Sequence, residues 1–225
     1  MAGKLYGVGV GPGNPKMMTY MAVEAIENSH VIAVPADGKE NAVSYKIAKG
    51  IVKEIDDKEC INIVTPMTRD KNVLDNAYES AAKQIAMKLD EGKDVAYLTL
   101  GDPTVYSTYI YIHRLVGKMG YDTEIISGVP SFCAASARVN DSLVDRAEQL
   151  HIIPSAYDIA GALKLDGTKV LMKSGSRMAD VKEKMKSLGL EGIMVENCGM
   201  DTEKVYNAID EIPDNTGYYS LIIIK

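Results

Sequence analysis

A short apolar run, DVAYL (94–98), ends on the polar loop TLGDPTVYST (99–108). The segment YSTYIYIHRLVGKMG (106–120) then sets Ile110, Leu115, Val116 and Met119 near helical spacing. A buried strand that stops at Gly101, Asp102 and Pro103 and restarts as a helix reads either as an ordinary tight βα turn or as a ligand-binding junction. Proline cannot extend the ladder, glycine lets backbone approach a ligand, and Asp102 brings one carboxylate. Such a strand–loop–helix junction presents backbone N–H groups at the carboxyl edge of a sheet, where open α/β folds bind ligands.

A second junction lies at the start of the chain. KLYGVGVGPGNPKMMTY (4–20) reads as a strand, a loop holding Gly9, Gly11, Pro12 and Gly13, and a helix start with Asn14 as N-cap and Pro15 at the first helical position. With Asp37 after HVIAVPA (30–36), a dinucleotide fingerprint is the obvious comparison, and the spacing refuses it. Counted from Gly9 the third glycine falls on Asn14, and counted from Gly7 it falls on Pro12. No Gly-Lys-Ser/Thr follows either, so the loop is not a phosphate-cradling P-loop.

Apolar runs and helical periods alternate along the rest. Strands are expected at 4–10, 30–35, 60–64, 94–100 and 121–127, with helices at 16–28, 42–53, 72–91 and 106–119. The third helix carries Val73, Ala77, Ala81, Ile85 and Leu89 at four-residue steps, a core stripe. This alternation predicts a largely parallel sheet covered by helices. The C-terminal part continues with strands near 148–153, 168–173, 192–197 and 218–224, and helices near 155–164 and 178–188.

Composition fits a globular protein. The chain has 225 residues, 46% hydrophobic and 25% charged. No apolar run approaches the roughly 20 residues that span a bilayer, and the N-terminus lacks the basic region and apolar core of a signal peptide, so a cytoplasmic protein without a membrane partner is expected. Cys60, Cys133 and Cys198 are an odd, scattered set that suggests neither a disulfide framework nor zinc. A net charge of −6 argues against nucleic acid as partner. His30, His113 and His151 lack metal-like spacing and are assigned structural roles. Lys182, Lys184 and Lys186 read as a solvated helix face, and most of the 12 methionines as core filling.

Three ordered motifs, GVGPG near the N-terminus, LGDP about 90 residues on, and SGVPSFCAAS (127–136), resemble the tetrapyrrole methylases. VLMK (170–173) and VENCGM (195–200) extend the resemblance over nearly the whole chain. Within the family, TVYSTYIYI, PSFCAA and ENCGM look most like the branch acting at C-20 of precorrin-2. The resemblance implies two α/β domains of the class III methyltransferase kind, 1–127 with a largely parallel sheet and 128–225 with a mixed sheet, and an active site in the cleft between them. It implies S-adenosyl-L-methionine as cofactor, precorrin-2 or its cobalt complex as substrate, and a homodimer. Carried over residue by residue, Leu100, Gly101, Asp102 and Val105 would contact the cofactor from the GDP loop, Pro130 and Ser131 from the next loop, and Met172 and Cys198 from the C-terminal domain. Pro12 and Tyr106 would face the substrate. Pro130-Ser131 departs from the Thr-Ala, or Ser with a small residue, of several branches.

Methyl transfer from a sulfonium is an in-line displacement whose leaving group the cofactor already carries. Positioning then supplies most of the acceleration, on the order of 7–11 kcal/mol for well-oriented reactants. This accounts for a chain without a nucleophile triad, and no general base stands out. The competing readings are a related methylase acting at C-11, C-17 or on uroporphyrinogen, a nicotinamide-dependent oxidoreductase, and a non-catalytic tetrapyrrole-binding protein.

Overall fold

The computed structural model describes residues 1–155 and 159–225, which divide into two compact units, Met1–Pro130 and Ser131–Lys225. The first contains β1 (Leu5–Gly9), α1 (Tyr20–Asn28), β2 (Val31–Val34), α2 (Val43–Lys49), β3 (Glu59–Asn62), α3 (Lys71–Asp90), β4 (Val95–Thr99), α4 (Tyr109–Lys118) and β5 (Thr123–Ile126). Its five strands are all parallel, in the order β3-β2-β4-β1-β5. β2 and β4 are buried at every position, as a sheet covered on both faces requires. One apolar layer joins Ala22 and Ile26 of α1 with Tyr45, Ile47 and Ala48 of α2. The opposite layer joins Ala81, Ile85 and Leu89 of α3 with Tyr109, Ile112 and Val116 of α4. The result is a doubly wound α/β unit.

The order places the turning point of the winding at β1. From β1 the chain runs out to β2, beyond β4, and from β4 it crosses β1 to reach β5. Loops leaving the carboxyl ends of β4, β1 and β5 therefore sit side by side, where ligands bind in such sheets.

Several local expectations need correction. The helix expected over 16–28 breaks in two. Asn14 caps a single 3-10 turn at Pro15–Met17 through the Lys16 N–H, and Thr19 starts α1 afresh by accepting from the Ala22 N–H. α4 begins at Tyr109 rather than 106, and its buried face is Tyr109, Ile112 and Val116; Met119 is exposed. Tyr109 fits because Gly7 of β1 lies beneath its ring, where a Cβ would meet Cε1 at 1.9 Å. The stripe on α3 holds only from Ala81 onward, since Val73 stands 44% exposed. Buried methionines are Met178, Met185 and Met194, so most of the twelve are not core residues.

The second unit contains α5 (Ser131–Arg138), β6 (Leu150–Pro154), β7 (Thr168–Met172), α6 (Met178–Ser187), β8 (Ile193–Glu196), β9 (Lys204–Tyr206) and β10 (Ser220–Ile224). The sheet order is β6-β7-β10-β8-β9, with β6 and β7 parallel and the other pairs antiparallel. Leu171, Met178, Val181, Met185, Met194 and Ile222 anchor its core. α5 packs on β10. Neither α5 nor β9 is among the elements expected from sequence. Of the helix expected over 155–164, residues 156–158 lie outside the described residues, and Ala162–Lys164 form one 3-10 turn. The lysines of α6 are ion-paired, Lys182 with Asp214, Lys184 with Asp180 and Lys186 with Asp210, so the face is not simply solvated.

Candidate functional site

Three glycines knit the loops beyond β1, β4 and β5. Gly101 donates its N–H to the Gly11 carbonyl at 2.8 Å, and Gly11 returns the bond at 3.2 Å. Both adopt positive φ, +76° at Gly11 and +73° at Gly101, a conformation that costs any other residue strain. Gly128 lies against the same pair: a Cβ there would meet the Gly101 oxygen at 2.2 Å and the Gly9 carbonyl carbon at 2.8 Å. Three chain segments meet at a separation only glycine permits. A Cβ on Gly101 itself would meet nothing within 4 Å. One side of the GDP loop is thus packed against backbone and the other is an open cradle.

Asp102 is the clasp. It is 6% exposed, and its carboxylate accepts from the Thr104 N–H at 2.8 Å, the Thr104 hydroxyl, the Ser127 hydroxyl and the Gly128 N–H at 3.0 Å. Burial alone would push this carboxyl up. The hydrogen bonds from Ser127, Thr104 and Gly128 outweigh it and hold the group below the usual aspartate value. The carboxylate that sequence reading offers to a ligand is therefore turned into the protein, tying the GDP loop to the loop after β5.

The remaining predicted residues of this unit surround the clasp. Leu100 leans on the core layer beneath the sheet, Pro12 is buried in the glycine loop, and Val105, whose N–H bonds to the Asp102 carbonyl at 3.2 Å, is half-buried. Pro130 ends the unit, half-buried. Tyr106 is 47% exposed at φ +47°. The hydroxyl that caps α4 is that of Ser107, which accepts from the Tyr109 N–H at 3.2 Å, whereas Thr108 makes no side-chain cap.

In the second unit the mixed sheet brings Met172 and Cys198 to one edge. β10 runs antiparallel between β7 and β8; Lys173 N–H bonds to the Ser220 carbonyl at 3.2 Å and Asn197 N–H to that of Tyr219 at 3.1 Å. Met172 is half-buried, and its carbonyl accepts from both the Ser155 N–H and the Ser155 hydroxyl. Cys198 sits between Asn197 and Gly199, which both take positive φ. Burial, reinforced by Glu203, pushes its thiol up to about 11, so it is no nucleophile at neutral pH. Glu203 braces this turn, accepting from the Gly199 N–H at 2.7 Å while pairing with Arg138 of α5. Ser131 opens α5 and is half-buried.

Sequence reasoning missed Ser127, Gly128, Thr104 and Glu203. Asp102 followed two residues later by Thr104 carries the signature of a side chain bonding the backbone just ahead. The others bond across 25 residues or more, or within a turn lacking such a signature. The three histidines bond within the protein: His30 accepts from the Asp94 N–H, His113 meets the Tyr109 hydroxyl and His151 the Asp166 carbonyl. Among the described residues no group of three His, Cys, Asp or Glu could hold a metal.

Backbone-walled loops at the turning point of a doubly wound unit, the place where such sheets bind ligands, mark a small-molecule site. Residues 4–213 match the tetrapyrrole (corrin/porphyrin) methylases, and the chain belongs to that family. It is 33% identical to a probable cobalt-precorrin-2 C(20)-methyltransferase of Methanocaldococcus jannaschii, across 99% of this chain and 96% of that one. To the cobalt-precorrin-2 C(20)-methyltransferase of Salmonella typhimurium it is 28% identical, across 100% and 97%. Its fold is similar to that of a uroporphyrin-III C-methyltransferase from Thermus thermophilus complexed with S-adenosylhomocysteine, with a TM-score of 0.71 at 16% identity, covering 99% of this chain and 97% of that one.

Proposed function

We propose that this chain transfers a methyl group from S-adenosyl-L-methionine to C-20 of precorrin-2 or its cobalt complex, in cobalamin biosynthesis. The observation that carries the reading is the open cradle at Gly101. Backbone there is held by the Gly11 bridge and the Asp102 clasp, and the side where a Cβ would stand is free for a ligand. The cofactor supplies an activated methyl on a ready leaving group. The chain's own part is to bind and orient. Leu100, Gly101, Asp102 and Val105 offer backbone and apolar contact, and Pro130, Ser131, Met172 and Cys198 are assigned cofactor contact on the family resemblance. Pro12 and Tyr106 are assigned to the substrate. Asp102, already fully engaged, and Cys198, protonated at neutral pH, are not acid–base groups in this reading.

The C-20 position is supported by the names of two relatives that this chain matches over almost their full lengths. A homodimer and a cytoplasmic location complete the reading. The dimer rests on the resemblance. The location rests on the absence, among the described residues, of a helix long and apolar enough to cross a membrane. Mass and NMR analysis of the product from precorrin-2, with and without cobalt, tests the reading: one methyl added at C-20 is expected. Methylation at C-11 or C-17, or rapid turnover of uroporphyrinogen, would overturn the assignment.

A further inference from the structure

Lys169 is a lysine where the fold calls for an apolar residue. It stands second in β7, between His151 of β6 and Ile224 of β10, and points to the same face as Leu171, a member of the second unit's core. The residue is 5% exposed. Among the described residues its hydrogen-bond partner is the Leu165 carbonyl, at 2.9 Å, and no carboxylate pairs with it. An ammonium removed from water is retained at a cost unless a counter-charge reaches it. Among the described residues, one of its three donors has a protein acceptor.

The ammonium lines a cavity of about 460 Å³, within the range of small-molecule sites. Leu163, Leu165, Leu188 and Leu190 form apolar walls; Lys164 and Lys225 add two exposed cations, of which Lys225 is paired with Asp141. Glu148 and Asp166 also border the cavity, both exposed, and would repel a multiply charged anion. The cavity lies at the opposite end of β7 from Met172, so it is no part of the candidate methyl-transfer site.

We propose that this cavity is a second binding site, for a small amphipathic monocarboxylate. Its carboxylate pairs with the Lys169 ammonium, and its short apolar body lies against the four leucines. Both halves are required: the ammonium selects the charge, the leucines favour an alkyl or aryl chain, and the two rim carboxylates exclude phosphate-like dianions.

The experiment is a calorimetric titration of the full chain with hexanoate, and with 1-hexanol, acetate and inorganic phosphate in parallel. Hexanoate should bind with 1:1 stoichiometry, at least tenfold more tightly than hexanol or acetate, with phosphate silent. Lys169→Met, which keeps the stem and removes the charge, should weaken hexanoate at least tenfold, raise the melting temperature of the free protein and leave methyl transfer unchanged. Where that variant fails to fold, Leu165→Glu, at an exposed wall position, should weaken hexanoate while the chain stays folded. Equal affinity for hexanol, tight phosphate binding, or undiminished hexanoate affinity in either variant would overturn the proposal. So would a fall in the melting temperature of Lys169→Met, since it would mean that Glu148 or Asp166 already neutralises the ammonium in solution.

Discussion

Replacing Asp102 by Asn tests whether the clasp holds the candidate site together. The amide keeps one oxygen, which can still accept from the Thr104 N–H and hydroxyl. Its NH2 then faces Ser127, whose hydroxyl can reverse and accept, and the Gly128 N–H, which cannot. One buried donor left unpaired costs about 1–3 kcal/mol, and three remaining bonds lose their charge assistance, so a total of roughly 2–4 kcal/mol follows. For a chain of this size each kcal/mol moves the melting temperature by about 2–4 °C, so a fall of roughly 4–16 °C is expected. The effect should depend on acid. The folded carboxyl titrates below the ordinary value of about 3.9, so the unfolded chain takes up its proton first. The stabilisation is complete above that value and is lost as pH falls through it toward the folded one. Urea unfolding by circular dichroism at pH 7 should separate wild type from Asp102→Asn clearly, and the gap should narrow below pH 4. S-adenosylhomocysteine affinity at pH 7 should fall with it. A variant within about 0.5 kcal/mol of wild type, ordinary for a surface substitution, and binding normally, would refute the reasoning.

Gly101→Val and Gly128→Ala should fail differently. The first places a β-branched side chain in the open cradle at a φ of +73°, and should abolish S-adenosylhomocysteine binding in calorimetry while the chain still folds. The second drives a Cβ into the Gly101 carbonyl, and should lower thermal stability as well as affinity. Glu203→Gln weakens the pairing with Arg138 while keeping an acceptor for the Gly199 N–H; cofactor affinity should drop several-fold with little change in melting temperature, since the Arg138 end of the pair is exposed. Tyr106→Phe should slow methyl transfer, or scatter its position in product NMR, more than it weakens cofactor binding.

Much of the fold was legible because its strands are short apolar runs, several closed by glycine or proline, and because helical segments alternate with them, although the stripes of α3 and α4 matched the buried faces only in part. A largely parallel first sheet was expected from that alternation, and it is wholly parallel; the mixed second sheet was expected from the family resemblance. α5 escaped notice because SFCAASAR is built of small residues with little periodic contrast, and β9 because three residues cannot declare a period. The late start of α4 was hidden because the apolar spacing of the segment runs back to Tyr106, whose positive φ belongs to the turn. At the candidate site the glycine loops could be read from sequence, since positive φ and close backbone approach demand glycine. The clasp could not. Asp102 meets Ser127 and Gly128 only because β1 brings the ends of β4 and β5 to its two sides, and that adjacency belongs to topology.

β5 has a neighbour on one side only. It hydrogen-bonds to β1 and otherwise forms the border of the first sheet, while β4 and β1 are held from both sides. Border strands open more readily than interior ones, since fewer bonds must break to release them. The segment carrying Ser127 and Gly128 hangs from this border. Of the three loops at the glycine junction, one is therefore anchored through a strand with a single neighbour, and the Asp102 carboxylate supplies a further attachment. The border strand is nonetheless tied into the interior, since Ile126 belongs to one core layer and Ile125 packs against the other.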